Sequence, residues 1–358
     1  MKLYEQPLKL KTNLISYLIP GGHLIEHFLG EPERAEAPSQ MWVASVVWCA
    51  LKGTRDSRSQ VICADGGEFC LAEALEAEPE EYLGDTFSAR FGATTGFLLK
   101  LLNSRDRLLV QTHPDREKAM KYFGSRFGKT ECWYVMDTEP GKRAYIWAGF
   151  RKDVTKEQFL ELVKRQDTDG ILKCLHRFVI KPGDVIFISA GLPHALGAHS
   201  LVAEIQEPTD ITLRAERFRP DGSELPEESL HSGIGYEGLM DCFCFDCEEE
   251  TLVRSRIFLR PQSRKTEWGE ETILVGKETT SMFGMNRIHC TKSCVRGNRT
   301  FSVALVLNGS GWIVGGKEGA SRIPLKRGTE LFLPHGLKQY EYVPDEELEI
   351  LECYPPEI

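Results

Sequence analysis

One strand-and-corner pattern occurs twice in the chain, and it constrains the fold more than any other feature of the sequence. The copies are Lys181-Pro-Gly-Asp-Val-Ile-Phe-Ile-Ser-Ala-Gly-Leu-Pro-His194 and Lys326-Arg-Gly-Thr-Glu-Leu-Phe-Leu-Pro-His335, of which the second is shortened before its Pro-His. In each copy a glycine turn leads into an apolar run and then into a Pro-His corner. Internal similarity of this kind predicts two related β units.

The second half of the chain carries the signature of a β-sandwich or barrel. From Phe178 onward, short alternating runs are separated by glycine and proline, as at Val185 to Ser189, Phe301 to Leu307 and Leu348 to Tyr354. Such runs predict strands. We therefore predict a mainly β protein built from two β-barrel units.

Helical patterns are few, and they lie in the first half of the chain. The candidates are Phe69 to Leu75, Pro114 to Tyr122 and Thr155 to His176. Pro114 suits a helix start, where its missing N–H costs nothing, and Thr155 is a candidate N-cap. The run Asp167-Thr-Asp-Gly170 predicts a break, so the third candidate is interpreted as two helices.

A polar, turn-rich stretch from Arg219 to Ser229 is the predicted boundary between the units. The first unit, with the helical insertions, then comprises residues 1–225, and the second comprises residues 226–358.

Composition restricts the partners that the protein can have. With 44 Lys and Arg against 53 Asp and Glu, the net charge of −9 argues against nucleic acid, which requires a basic face. An anionic substrate remains possible if a few local cations bind it. No apolar run of about 18 residues predicts a membrane span, and the first residues do not resemble a signal peptide. The eleven scattered cysteines indicate reduced thiols, so we expect a cytoplasmic protein.

Four residues form a candidate metal-binding set. Gln111 and His113 are two positions apart in a predicted strand, so their side chains share a face. Glu131 adds a carboxylate, and His194 adds a second imidazole at the first Pro-His corner. These nitrogen and oxygen donors suit a divalent metal such as zinc, with room left for substrate or water. Nothing comparable precedes His335, so the second unit is predicted to be metal-free.

Several segments together resemble type I phosphomannose isomerases of the cupin superfamily, over most of the chain. The matching segments are Leu98 to Asp106, Val110 to Asp115, Gly128 to Asp137, Ile188 to Gly197 and Glu204 to Arg214. The resemblance implies a cupin jelly roll with helical insertions and a second cupin-like unit without metal. It also implies a zinc enzyme that interconverts mannose 6-phosphate and fructose 6-phosphate.

The resemblance assigns residues by position. Gln111, His113, Glu131 and His194 would bind one Zn²⁺ per chain, and Arg214 matches the family's active-site arginine. Lys129, Glu204 and Asp210 match residues that line its catalytic cleft. The implied partner is a small-molecule sugar phosphate, with the chain as a monomer or homodimer.

The implied reaction transfers a proton between C1 and C2 of the sugar through a cis-enediol. A metal and a guanidinium aimed at the developing negative charge would stabilise the transition state. Arg214 stays cationic and is unsuited to act as the base. Lys129 could be the base if its pKa were lowered, and Glu204 if its pKa were raised by burial. The sequence does not choose between them.

Three positions depart from the family pattern. Leu109 replaces a serine that helps hold the substrate phosphate in relatives, and Leu213 replaces a tyrosine. The run Ser39-Gln-Met-Trp42 lacks the acid of the usual Gly-Glu-x-Trp. These departures keep two alternatives open: an isomerase of a different sugar, or a non-catalytic sugar-binding or regulatory cupin. A cupin metal oxygenase fits less well, because such sites use more histidines.

Two further patterns resemble metal sites, and we interpret both as incidental. His23-Leu-Ile-Glu26-His27 fits a zinc-peptidase string that requires a helix and a downstream ligand. Cys242-Phe-Cys-Phe-Asp-Cys247 has the alternation of a strand with one buried face. His335 is interpreted as the structural counterpart of His194.

Overall fold

The computed structural model describes residues 2–49, 56–297 and 300–356. The helices in these ranges are α1 (Leu24–Leu29), α2 (Leu71–Ala77), α3 (Pro79–Leu83), α4 (Asp85–Phe91), α5 (Arg116–Phe123), α6 (Lys156–Arg165), α7 (Thr168–Lys173), α8 (Glu228–His231), α9 (Gly235–Cys242) and α10 (Glu250–Ile257). Two short 3-10 helices lie at Leu3–Glu5 and Lys317–Gly319. None of the helices in the described ranges is both long enough and apolar enough to cross a membrane.

Strands are distributed along the whole chain. Those before residue 225 are β1 (Leu8–Leu10), β2 (Leu14–Ile15), β3 (Gln40–Val43), β4 (Gln60–Ile62), β5 (Glu68–Cys70), β6 (Leu98–Leu102), β7 (Gln111–Thr112), β8 (Glu131–Thr138), β9 (Ala144–Phe150), β10 (Leu175–Ile180), β11 (Val185–Ile188), β12 (His194–Leu196), β13 (Ser200–Gln206) and β14 (Leu213–Arg214). Those after it are β15 (Gln262–Thr266), β16 (Gly269–Val275), β17 (Gly284–Cys290), β18 (Cys294–Gly297), β19 (Ser302–Gly315), β20 (Ser321–Lys326), β21 (Glu330–Leu333) and β22 (Gln339–Tyr354).

Two antiparallel sheets form the first β unit. One has the order β10-β9-β12-β7-β14, and the other has the order β11-β8-β13-β6-β3-β2. Inward side chains of both sheets, among them Trp133, Ile146, Phe178, Leu196 and Val202, pack in one buried cluster. This arrangement of two sheets around a shared core is a jelly-roll sandwich, as the alternating runs predict.

The third sheet combines both ends of the chain. Its order is β15-β16-β17-β22-β19-β21-β1-β4-β5, with β18 paired to β22 and β20 paired to β19. Strands from the first 70 residues therefore complete the sheet of the C-terminal half, through the pairing of Leu8 with Phe332 and of Lys9 with Leu331. The division at residues 225 and 226 stays a prediction, and this pairing crosses it.

Both copies of the repeated sequence form the predicted strand and corner. In the first copy β11 leads into a turn, and His194 begins β12. Gly191 in this turn has a φ of +85°, which a residue with a Cβ rarely adopts, and its N–H donates to the carbonyl of His113. In the second copy β21 ends at Leu333, and His335 follows two residues later.

The predicted helices are largely confirmed. α5 begins two residues after Pro114, and the third candidate is two helices, α6 and α7, with the break at Gln166 and Asp167, at the edge of the predicted run. The end of this candidate is wrong, because Leu175 and His176 belong to β10. The Thr155 hydroxyl caps α6 by accepting a hydrogen bond from the N–H of Gln158. The side-chain oxygen of Gln158 in turn accepts from the Thr155 N–H. The prediction at Phe69 is partly wrong, because Phe69 and Cys70 belong to β5 and pair with β4.

The inserted helices pack on the outer face of the first unit. Phe159, Val163 and Ile171 belong to a second buried cluster that also includes Val110 and Leu213. Full burial of each large apolar side chain contributes about 2 kcal/mol to folding. The insertion therefore supports the strands β7 and β14, which carry Gln111 and Arg214.

Candidate metal centre and cleft

The four predicted metal ligands lie at neighbouring strand ends of the jelly roll. Gln111 on β7 is the direct cross-strand partner of His194 on β12, and His113 follows β7. Glu131 is the first residue of β8. Gly128 allows β8 to begin there, because a Cβ at this position would lie 2.7 Å from the carbonyl oxygen of Pro114. Sheet register and one close backbone approach thus bring the four residues together.

Three of these side chains converge in the buried interior. The ligand atoms of His113, Glu131 and His194 all lie within 4.8 Å of one another. His113 Nε2 contacts Glu131 Oε1, and His194 Nε2 lies 3.8 Å from the same oxygen. The carboxamide nitrogen of Gln111 lies 3.2 Å from His194 Nε2. Rotation of the carboxamide by about 180° would turn its oxygen toward the cluster, where it could bind a cation.

Backbone carbonyls orient both imidazole rings. His113 Nδ1 donates to the carbonyl of Ile211 at 3.0 Å, and His194 Nδ1 donates to the carbonyl of Leu192 at 2.8 Å. Each ring therefore presents an unprotonated Nε2 to the cluster. Burial lowers the pKa of both histidines, so both rings are neutral at pH 7.

The cluster fits a divalent cation. Glu131 Oε1 is buried and accepts no hydrogen bond from the residues that the structure describes, although it touches His113. A buried carboxylate oxygen without a donor is costly, and a cation between it and the two Nε2 atoms would remove that cost. Two imidazoles, a carboxylate and a carboxamide are donors that zinc accepts.

The four predicted cleft residues lie around this cluster. Lys129 Nζ is 3.2 Å from His113 Nε2 and 3.5 Å from Glu131 Oε1, in a buried position. Glu204 on β13 is also buried. Burial, reinforced by the charge of Glu131, raises the pKa of Glu204 to about 7. Arg214 Nη1 donates to the backbone carbonyls of Thr212 and Ser229, at 3.4 and 3.3 Å.

Asp210 belongs to a polar network whose other members the sequence analysis did not identify. Its carboxylate lies 3.4 Å from Lys100 Nζ and accepts from the Tyr17 hydroxyl at 3.2 Å. Lys100 also lies 3.9 Å from Glu204 and 4.5 Å from the centre of the Trp42 ring. The sequence contains one indication that Lys100 is a functional residue, because it is a single lysine within the apolar run Leu98-Leu-Lys-Leu-Leu. Tyr17 had no comparable signal.

A cleft opens onto these groups. Its walls include the polar residues Tyr17, Gln40, Lys100, Gln111, Lys129, Glu204, Asp210 and Arg214 and the apolar residues Leu18, Ile19, Leu102, Leu108 and Leu109. Leu109 thus lies where a substrate would contact it, whereas Leu213 is fully buried among core residues. Gln40 accepts from the Trp42 indole at 2.6 Å.

The two incidental patterns have structural roles. His23 directly precedes the short helix α1 and contacts Glu26 at 2.7 Å, and His27 lies within α1 and contacts Glu33 at 2.8 Å. The strand interpretation of Cys242 to Cys247 is wrong, because α9 ends at Cys242 and irregular backbone follows. Within the described residues, only His113, Glu131 and His194 form a group of three potential metal ligands.

Fold and cluster together define the class: a mainly β protein of the cupin type, with a buried two-histidine, one-carboxylate group in its first unit. No protein-family model matches the chain. It is similar to mannose-6-phosphate isomerase of Streptococcus mutans, with 28% identity over 358 residues, 98% of this chain and 99% of that one. A probable mannose-6-phosphate isomerase of Bacillus subtilis is 35% identical over 140 residues, 39% of this chain and 42% of that protein.

Solved structures agree with the predicted fold. The mannose 6-phosphate isomerase of Bacillus subtilis has a TM-score of 0.76 at 21% identity, covering 97% of this chain and 99% of that one. A mutant phosphomannose isomerase of Salmonella typhimurium has a TM-score of 0.73 at 14% identity, covering 98% and 100%. The predicted fold class and the predicted resemblance are confirmed, and the chain is a divergent relative of these proteins.

Proposed function

We propose that this protein is a zinc-dependent isomerase that interconverts mannose 6-phosphate and fructose 6-phosphate. One observation carries the proposal: His113, Glu131 and His194 converge in a buried cluster beside Lys129, and Lys129 lines a cleft together with Lys100 and Arg214. The names of the relatives support the reaction and the substrate.

The metal would be one zinc ion held by Gln111, His113, Glu131 and His194. When bound, it would polarise the oxygens on C1 and C2 of the sugar. The remaining chemistry belongs to side chains of the cleft. Lys129, which lies against the metal cluster, supplies positive charge where the enediol oxygens become negative.

Proton transfer between C1 and C2 is assigned to Glu204. A general base works best when its pKa is near the working pH, and burial raises the pKa of Glu204 to about 7. Its carboxyl lines the cleft, and Lys100 lies 3.9 Å away. Asp210 contacts Lys100 and Tyr17 and so positions them.

Arg214 is assigned to the substrate phosphate. Its guanidinium lies at the cleft wall, where Nη1 donates to the backbone carbonyls of Thr212 and Ser229. An anion at this place would gain a charge-assisted hydrogen bond from the guanidinium.

The direct test is isomerisation of mannose 6-phosphate by purified protein, before and after removal of metal with a chelator. We expect fructose 6-phosphate to form, turnover to stop in chelator, and added zinc to restore it. A zinc-loaded protein that leaves mannose 6-phosphate unchanged would refute the proposal.

A second test separates Glu204 from Lys129 as the base. Glu204→Gln is expected to abolish both isomerisation and the exchange of the C2 hydrogen with solvent. Lys129→Met is expected to slow both processes while leaving exchange measurable. The reverse pattern would assign the base to Lys129.

One observation favours a different sugar as an alternative substrate. Leu109 lines the cleft with an apolar side chain where a hydroxyl would favour a phosphate. A panel of free and phosphorylated aldoses distinguishes the cases by relative kcat/KM. Tight sugar binding without turnover across the panel would instead indicate a non-catalytic sugar-binding protein.

A further inference from the structure

We propose that the indole N–H of Trp133 is a positioning group that holds Glu131 and Glu204 in place for metal binding and proton transfer. The inference rests on the proposed zinc site and concerns a residue that does not itself bind metal. Trp133 would act only through the two carboxyl groups.

The geometry is specific. Trp133 Nε1 lies 3.0 Å from Glu131 Oε2 and 2.8 Å from Glu204 Oε2, so one donor is shared by two acceptors. Glu131 and Trp133 are two residues apart on β8 and share a face, and Glu204 on β13 is the direct cross-strand partner of Trp133. The ring itself has no solvent exposure.

The shared bond determines which oxygen of Glu131 faces the histidines. With Oε2 bound to the indole, Oε1 points to His113 and His194. The Trp133 ring also packs edge-on against the His194 ring, with centroids 5.5 Å apart. One residue therefore restrains two candidate ligands at once.

The same bond holds two carboxyl groups close together in a buried place. Like charges in such a site repel, and a shared donor offsets part of that repulsion. The apolar part of Trp133 fills the core between the two sheets, which a phenylalanine could also do. The N–H is the group that bonds to the two carboxyl groups, so a variant without it isolates the proposed role.

Trp42 provides a matched control. It is equally buried, and its Nε1 donates at 2.6 Å to Gln40, which is not a predicted metal ligand. Trp133→Phe and Trp42→Phe therefore make the same chemical change in two strands of one sheet, β8 and β3.

The first measurement is the zinc dissociation constant of each protein, by competition with a chromogenic chelator. Loss of a group that orients a metal ligand typically weakens affinity 10–100-fold, and we expect about this change in Trp133→Phe. Trp42→Phe should stay within about twofold of the wild type by the same reasoning. Equal affinity in Trp133→Phe and wild type overturns the inference. Absence of zinc binding in the wild type refutes the proposed metal site instead, so the two failures are distinct.

A second measurement tests the connection to Glu204 at saturating zinc. Trp133→Phe is expected to lower kcat, and the Trp133→Phe/Glu204→Gln double variant to be no slower than Glu204→Gln alone. Additive losses would overturn the proposed action through Glu204. If Trp133→Phe does not fold, benzothienylalanine at position 133 keeps the ring shape without the donor, and the same two readouts apply.

Discussion

The two Pro-His corners share a sequence pattern but not an environment. At the first corner, His194 lies within reach of Glu131, His113 and Gln111, three residues from two other strands. At the second corner, the His335 N–H donates to the carbonyl of Tyr82, and its Nε2 lies 2.8 Å from Lys338 Nζ. The same local frame becomes a candidate metal site only where neighbouring strands add further donors.

The buried acids of the two units differ in the same way. Glu352, fully buried in the second unit, accepts from Ser302 at 2.9 Å and from the Tyr340 hydroxyl, and Arg296 lies 3.4 Å away. Each acid has one oxygen without a hydrogen-bond donor among the described residues, but Oε1 of Glu131 faces two imidazole nitrogens, whereas Oε2 of Glu352 faces the Arg296 guanidinium. Glu131 is therefore the acid suited to bind a cation, because the neighbouring imidazoles supply the further donors that a metal ion requires.

The largest expected effect comes from replacing one histidine of each corner environment by alanine. His113→Ala should lose zinc and reduce turnover about a thousand-fold, since the metal contributes several kcal/mol to transition-state stabilisation. His335→Ala should retain wild-type zinc stoichiometry. Metal analysis and the isomerase assay check both, and loss of zinc in His335→Ala would break the comparison.

Replacement of Arg296, a cationic side chain of the second unit, should lower the stability of the fold and leave the metal site intact. Its guanidinium lies 3.1 Å from Glu271 and 3.4 Å from Glu352, so Arg296→Met removes an ion-pair partner from both acids. We expect a loss of about 3 kcal/mol in the free energy of unfolding, measured with urea. Arg264→Met is the control, because its exposed guanidinium binds the same Glu271 at 2.9 Å and contributes at most about 1 kcal/mol.

Glu330 is a third buried acid, and it predicts a pH dependence. Burial raises its pKa to about 8 in the folded protein. In the unfolded chain this carboxyl ionises at about pH 4.5, whereas in the folded protein it stays protonated up to about pH 8. The free energy of unfolding is therefore highest below about pH 4.5 and falls as the pH rises toward about 8. Glu330→Gln removes the loss and should be more stable than wild type at pH 9, by several kcal/mol, with little difference at pH 4.

Thermal unfolding at both pH values measures this effect. The exposed Glu347, which pairs with His289, supplies the control. Glu347→Gln should show no comparable gain at pH 9. If Glu330→Gln is less stable than the wild type at pH 9, the prediction is wrong, because the ionised Glu330 carboxylate must then have a stabilising partner in the folded protein.

The smallest expected effect concerns the helical insertion of the first unit. Thr155→Ala removes the N-cap of α6 and should lower the free energy of unfolding by about 1 kcal/mol. Thr155→Ser retains a hydroxyl and should be close to wild type. Equal loss in both variants would show that the methyl group, rather than the cap, is what matters.

Local patterns predicted much of this fold because they depend on neighbouring residues. The strands of the repeat, the cap at Thr155 and the break near Asp167 follow from periodicity and hydrogen bonding within a few residues. The same reasoning failed at Cys242 to Cys247. There Phe243 and Phe245 pack on Phe159 and Phe150, with centroids 5.2 and 4.7 Å apart, and these distant contacts determine the local backbone.

Sequence alone determined the residue types of the candidate centre, since Gln111, His113, Glu131 and His194 are recognisable donors at strand ends. Tertiary structure decided which other groups join them. Lys100, Tyr17 and Trp133 come from separate segments: sheet register turns Lys100 and Trp133 toward one cleft, and Tyr17 reaches it from the irregular backbone after β2. Tertiary structure also decided that strands from the first 70 residues complete the C-terminal sheet. The physical reason is the same in both cases: pairing between distant strands depends on the burial of whole faces, which no local pattern encodes.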